Sequence, residues 1–422
     1  MSESSLKARL LKLDCHFTWG LQEEDFDMPD IQERLLKQLE FMITENKYMV
    51  YNVCAYVNHL QKKYAEAILD LEKSETTCKT CGNATNRKLL VTYANFAWVY
   101  HYLNQHEMSQ CYIDKVDGIY QEITPSTDVN LEINEIYGEQ GWTYVQINGK
   151  YYEKAVECFQ KALIEAPDDP EWNTGYATVV YRLEGHDNPK FSGHRSYQLL
   201  IRAIEVNPND SVIKALAGLK LQDMRRGDEG LKYIEEALQQ TSDLPYLLRY
   251  VGKFYKRAGM IEEALHHLDR ALDSIPTSGF HHHQKALCYR IIIRKKTRFA
   301  KFHNSRGGTR ELIQKAIHHF ELGLKYKKSH IFAYIDLADM YKEANEYEKA
   351  EETLNRAMAI TNLTGQEKKN IHYAYGRFEE NVKKSVNNAI KHYREALQIP
   401  GPWRDKQSCE MALKNLLGRK TM

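Results

Sequence analysis

EKAVECFQKALIEA, residues Glu153–Ala166 with Pro167 directly after, has near copies at Ile261–Pro276 and at Tyr347–Thr361. The spacing of about 34 residues is that of the tetratricopeptide repeat, a pair of antiparallel helices, and this stretch is its second helix. The eighth, twentieth and usually the twenty-seventh places hold small residues: Ala55/Ala67/Ser74, Ala97/Ser109/Val116, Thr143/Ala155/Ala162, Gly218/Gly230/Ala237, Gly252/Ala264/Ala271, Ala286/Ala316/Gly323 (with an insertion after Ala286 left out of the count) and Ala338/Ala350/Ala357. Helices that cross closely need small side chains there. The twenty-fourth place is large and apolar: Leu71, Ile113, Phe159, Ile234, Leu268, Phe320 and Leu354. Pro167, Pro208 and Pro276 end second helices, because proline cannot continue a helix. A further unit spans about 170–209 with an insertion, and a ninth about 370–400. The pattern predicts an all-α, tetratricopeptide-repeat superhelix with an internal basic groove or tunnel. It divides into N-terminal helices and first repeats (1–135), central repeats (136–244), pivot helices (245–278), and C-terminal repeats with a terminal basic helix (279–422).

Composition narrows the function. The chain has 422 residues and a net charge of +1, so a nucleic-acid site must be a local patch. No apolar run approaches membrane-spanning length, and the start, MSESSLKARLLKLDCHFTW, has no apolar signal core. Eight scattered cysteines, mostly in helical segments, suit a reduced, cytoplasmic protein. Cys78 and Cys81 form one CxxC without a second pair, so two free thiols are expected rather than zinc. The histidine clusters 266–267, 281–283 and 318–319 lack HExxH context and read as surface or groove residues. No catalytic constellation, metal site or cofactor motif is present, which indicates a non-enzyme.

In such a stack the second, fifth, ninth and twelfth residues of each first helix line the concave side. From Pro245 these are Tyr246, Arg249, Lys253 and Lys256; in the next repeat they are Phe280, His283, Leu287 and Arg290; the one after presents Phe332. Cations and aromatic rings thus share a stripe, a combination that suits single-stranded nucleic acid or a phosphorylated ligand. Packing aromatics and a solvated basic face give the same pattern. Capture of an acidic peptide terminus fits poorly, since no ninth position is asparagine. The segment Arg294–Arg310, RKKTRFAKFHNSRGGTR, has no acidic residue, and Gly307–Gly308 gives it a loop character.

The chain resembles the interferon-induced proteins with tetratricopeptide repeats (the IFIT family) along its whole length. The resemblance rests on CHFTW (Cys15–Trp19), MPDIQERLLKQLEF (Met28–Phe41), GWTYVQINGKYY (Gly141–Tyr152), GYATVVYRL (Gly175–Leu183), LKLQD (Leu219–Asp223), PYLLRYVGKFYKR (Pro245–Arg257), FHHHQKALCYR (Phe280–Arg290) and IHYAYGRFEE (Ile371–Glu380). It implies an antiviral protein that holds the 5′ end of single-stranded RNA, as a 5′-triphosphate or a cap lacking 2′-O-methylation, and blocks its translation. The partners it implies are such RNAs, with family paralogues or the translation machinery besides, but neither membrane nor DNA. A scaffold that binds proteins with weak or no RNA affinity is the alternative.

Carried over residue by residue, Arg34 and Gln38 match positions facing the 5′ end, and Trp142 matches the ring that stacks on a cap guanine. Tyr152 and Arg182 match triphosphate contacts. Arg249, Tyr250 and Lys256 match the basic and aromatic wall, and Phe280, His283 and Gln284 match contacts to the first nucleotides. Arg298 matches a basic tunnel residue, and Phe332 an aromatic near the RNA exit. Gln146 stands where the family has a phosphate-binding lysine, an exchange that forfeits a charged hydrogen bond of about 1.5–3 kcal/mol. His330 replaces a usual aromatic and Lys327 a usual acid. Longer relatives carry a further C-terminal repeat, and what that repeat supplies is not expected from this sequence.

Overall fold

The computed structural model describes residues 3–41, 46–81, 85–123, 133–185, 195–303, 309–361 and 363–420. Its α-helices are, in order, α1 (Glu3–Leu10), α2 (Met28–Phe41), α3 (Lys47–Leu60), α4 (Tyr64–Thr80), α5 (Leu90–Tyr102), α6 (His106–Ile123) and α7 (Asn134–Ile147). Next come α8 (Tyr152–Glu165), α9 (Pro170–Gly185), α10 (Arg195–Val206), α11 (Ser211–Asp223), α12 (Gly227–Gln240), α13 (Pro245–Ala258) and α14 (Ile261–Ser274). The chain closes with α15 (Gly279–His303), α16 (Arg310–Tyr326), α17 (Ile331–Glu343), α18 (Tyr347–Met358), α19 (Gly365–Phe378), α20 (Val386–Gln398) and α21 (Lys406–Lys420). There is no strand among the described residues, and no described helix is long and apolar enough to cross a membrane. Two compact units result: Met1–Leu183 with His194–Ile213, and Lys214–Met422 with Glu184–Gly193.

The repeat grid is the core. Every small-residue position named above is buried, and the large twenty-fourth residues, from Leu71 to Leu354, are at most 2% exposed. The insertion-bearing unit follows the same rule, with Ala177, Ser196, Leu200 and Ala203 buried. Helices approach most closely where both residues are glycine: a Cβ added to Gly230 would lie 2.6 Å from the Gly218 carbonyl oxygen. Pro245 opens α13 with its fixed φ, and Gly259 closes it in the left-handed region. The same fifteenth place of other repeats is also left-handed, at Lys62, Asn104, Arg225, Asn345 and Lys384. Asparagine accepts this backbone more readily than lysine or arginine does.

The seventh repeat has no left-handed turn at this place. Its fifteenth place, Ile293, lies inside α15, which runs on to His303. The loop expected over Arg294–Arg310 is therefore helical for its first ten residues, Arg294–His303. RKKTRFAKFH contains no glycine or proline and is rich in good helix formers. Gly307–Gly308 lies outside the described residues.

CHFTW is a structural plug. His16 is fully buried between Asn95 (3.1 Å) and Thr143 (3.1 Å), and Tyr144 donates to the Trp19 carbonyl at 2.9 Å. Beside it, Asn52 donates to Thr92 (3.0 Å) and to the carboxylate of Glu139 (2.8 Å). Burial pushes the Glu139 carboxyl up to about 8, against the pull of that hydrogen bond. Its folded pKa lies above its unfolded one. Between the two, the folded state keeps a proton the unfolded state has released, so stability falls as pH rises from about 4.5 towards 8. Glu139→Gln is expected to remove this contribution, which approaches ~1.4 kcal/mol per pH unit. Denaturant melts at pH 6 and pH 8 check it: the wild type loses stability over that interval, and the variant loses less.

Candidate nucleic-acid interface

Two clusters hold most of the residues singled out from sequence, one in each unit. In the first, α7 is the hub. Its C-terminal carbonyls carry the negative end of the helix dipole, and two arginines meet them. Arg34, from α2, donates to the Gln146 carbonyl at 2.7 Å and lies 3.4 Å from Asp30. Arg182, from α9, donates to the Val145 carbonyl at 3.4 Å and to the Tyr152 hydroxyl at 3.2 Å, its guanidinium 5.7 Å from that ring's centre. Gln38, one turn beyond Arg34, is half-buried.

Trp142 and Gln146 lie one turn apart on α7, both half-buried. Trp142 sets its ring edge-on to Phe159 at 5.7 Å. Its indole N–H is buried without an acceptor, and the side-chain oxygen of Gln146 is buried without a donor. Phe159 is itself tightly held, since a Cβ added to Gly175 would come within 2.3 Å of its ring. A ring backed by a fixed partner, on a helix whose carbonyl end meets two guanidinium groups, can stack a flat polar ligand.

In the second unit, α13 presents Arg249, Lys253 and Lys256 at spacings of four and three, hence on one face. The Arg249 guanidinium sits 4.0 Å from the centre of the Phe280 ring and 5.3 Å from that of Tyr250, and its Nε is buried without an acceptor. Tyr246 lies half-buried on the preceding turn. Lys256 donates to the neutral Gln284 side chain at 2.6 Å. Among the described residues, no carboxylate pairs with Arg249, Lys253 or Lys256. Burial first, then the neighbouring cations, pushes both lysines down to about 8, although the Asp223 charge opposes this at Lys253.

Gln284 leads to His283 (3.4 Å), and His283 to Asp336 at 3.0 Å, which also binds Arg290. Burial alone would raise the Asp336 carboxyl, but the His283 hydrogen bond and the Arg290 charge outweigh it and hold it below its usual range. His330 packs on His283 with ring centres 4.4 Å apart, and burial pushes it down to about 3, so it is neutral. Phe332 precedes Asp336 by one turn of α17 and is 49% exposed. Arg298 is exposed on the extension of α15, about 27 Å along the helix axis from Phe280. Of the surface or groove placement expected for the histidine run, the surface half does not hold: His281, His282 and His283 are 4–6% exposed.

Asp336 is the residue sequence reasoning missed. It occupies the sixth place of its repeat, outside the four positions taken as lining. The available signal was its spacing of four from Phe332, which puts both on one helical face.

Protonated lysines attract anions, and these two lose their charge as pH rises through about 8. A bound polyanion is expected to weaken by about tenfold per participating lysine between pH 7 and pH 9. Dissociation constants measured at fixed ionic strength across that range test this. A flat profile would remove both lysines from the binding surface.

Among known proteins, the tetratricopeptide-repeat family matches residues 333–362. The human "Antiviral innate immune response effector IFIT1" is 38% identical over 424 residues, covering 99% of this chain and 88% of that one. The structure "Human IFIT1 dimer with m7Gppp-AAAA" superposes with a TM-score of 0.89 at 37% identity, covering 98% of this chain and 91% of that one. "Human IFIT1 dimer with PPP-AAAA" gives a TM-score of 0.85 at 37% identity, covering 98% and 90%.

Proposed function

Since this chain belongs to the family of interferon-induced proteins with tetratricopeptide repeats, we propose that it is an antiviral RNA-binding protein. It captures the 5′ end of single-stranded RNA, as a 5′-triphosphate or a cap lacking 2′-O-methylation, and thereby blocks translation of that RNA. It acts by binding rather than turnover, in the cytoplasm. The observation that carries the reading is the unpaired basic face of α13. Half-buried cations with no carboxylate at ion-pair distance are costly, and an RNA phosphate supplies the missing charge. The relatives' capped and triphosphate-bearing oligonucleotides are the same chemistry.

The residue roles follow as part of the proposal. Arg34, Tyr152 and Arg182 bind 5′ phosphate oxygens, and Gln146 adds an uncharged hydrogen bond. Trp142 stacks a cap base, and Gln38 faces the 5′ end. Arg249, Tyr250, Lys253 and Lys256 take backbone phosphates, Phe280, His283 and Gln284 meet the first nucleotides, and Tyr246, Arg290, Arg298 and Phe332 follow the RNA path.

A cell-free translation extract tests the function. Added protein should repress a reporter RNA that begins with a triphosphate or an unmethylated cap, and spare the same RNA carrying a 2′-O-methylated cap. Equal repression of all three, or of none, would favour a scaffold that works through protein partners.

A further inference from the structure

The helix pair α19 and α20 carries three side chains that RNA capture does not use. His372 projects from α19; His392 and, one turn later, Glu395 project from α20. The two Nδ1 atoms face each other at 3.2 Å. Glu395 Oε2 lies 3.0 Å from His372 Nδ1 and 3.5 Å from His392 Nδ1. Three ligand-type atoms thus make a nearly equilateral triangle. Neighbouring ligands on a tetrahedral ion with arms of ~2.0–2.1 Å are about 3.3 Å apart, so the triangle has the dimensions of one tetrahedral face.

The chemistry fits as well as the spacing. Two neutral imidazoles and one carboxylate form a borderline donor set with a single negative charge, suited to zinc-class ions and too nitrogen-rich for calcium or magnesium. One of the ligands, His392, is also held in place. Tyr375 stacks on His392 with ring centres 4.5 Å apart and planes 14° from parallel, and its hydroxyl is fixed to Asn355 at 2.9 Å. The histidine side chains are 16% exposed and Glu395 is 36% exposed, so an ion can enter from solvent. We infer that His372 Nδ1, His392 Nδ1 and Glu395 Oε2 bind one divalent transition-metal ion of the zinc class, leaving a fourth position for water or an external ligand. Binding displaces any proton held on either Nδ1. Sequence inspection misses such a site because its ligands come from two helices and match no linear signature.

Cobalt(II) titration of the full chain tests this, with visible absorption as the readout. The expected result is one equivalent bound with tetrahedral d–d bands, no sulfur charge-transfer band, and displacement by zinc. His372→Ala and the conservative Glu395→Gln should each weaken cobalt binding by about tenfold or more. Zinc should raise the melting temperature of the wild type more than that of either variant, and each variant's own melt without metal reports whether it folds. Absence of a cobalt signal, a sulfur charge-transfer band that places the ion on cysteine, or equal affinity in folded Glu395→Gln would each overturn the site.

Discussion

Arg182→Glu is expected to weaken 5′-triphosphate RNA binding by more than about 100-fold. The guanidinium is held by the Tyr152 hydroxyl and the Val145 carbonyl, so its charge is positioned before RNA arrives. Two charged hydrogen bonds to phosphate, at about 1.5–3 kcal/mol each, already amount to 100-fold or more. Reversal then adds repulsion between the new carboxylate and the phosphates. It also sets an anion against the carbonyl end of α7, so some stability is lost too. Arg182→Gln separates the two effects, because it removes the cation without placing an anion there. It should cost binding while the melting temperature changes little. If triphosphate RNA binds folded Arg182→Glu within about threefold of wild type, Arg182 is a cap of α7 and nothing more.

Trp142→Ala should impair capped RNA more than triphosphate RNA. Base stacking on an aromatic side chain contributes about 1–3 kcal/mol, a factor of roughly 5 to 150 in affinity. A triphosphate end has no cap base to stack. The ring also touches Phe159, so truncation leaves a gap and lowers the melting temperature. Trp142→Phe keeps part of that packing with a smaller stacking face, and should be intermediate for capped RNA. Equal losses for both RNA ends would assign Trp142 to packing.

The fold was legible because the repeat rule acts through volume. Small residues at the eighth and twentieth places and a large one at the twenty-fourth state which surfaces meet, and those positions form the core. The long α15 was not legible, because Gly307–Gly308 signals a loop while the helix-forming run before it carries no stop signal of its own. Within the interface, lining positions brought Arg249, Lys253, Lys256, Phe280 and His283 to notice. Asp336 and the polar core of His16, Asn52 and Glu139 escaped, because an isolated acid or amide in a helix reads as solvated until its neighbours are known. Arg34 and Arg182 are far apart in the chain, and only the fold shows both meeting the end of α7. The resemblance nominated them; periodicity did not.

The most direct measurement compares one short RNA carrying five different ends: hydroxyl, monophosphate, triphosphate, unmethylated cap and 2′-O-methylated cap. Affinities should be taken at two salt concentrations with purified full-length protein. The tightest binding is expected for the triphosphate or the unmethylated cap, with weak binding for the hydroxyl and 2′-O-methylated ends and a steeper loss with salt for the triphosphate, whose phosphates displace more counterions. Equal affinity for all five ends would contradict capture of the 5′ end.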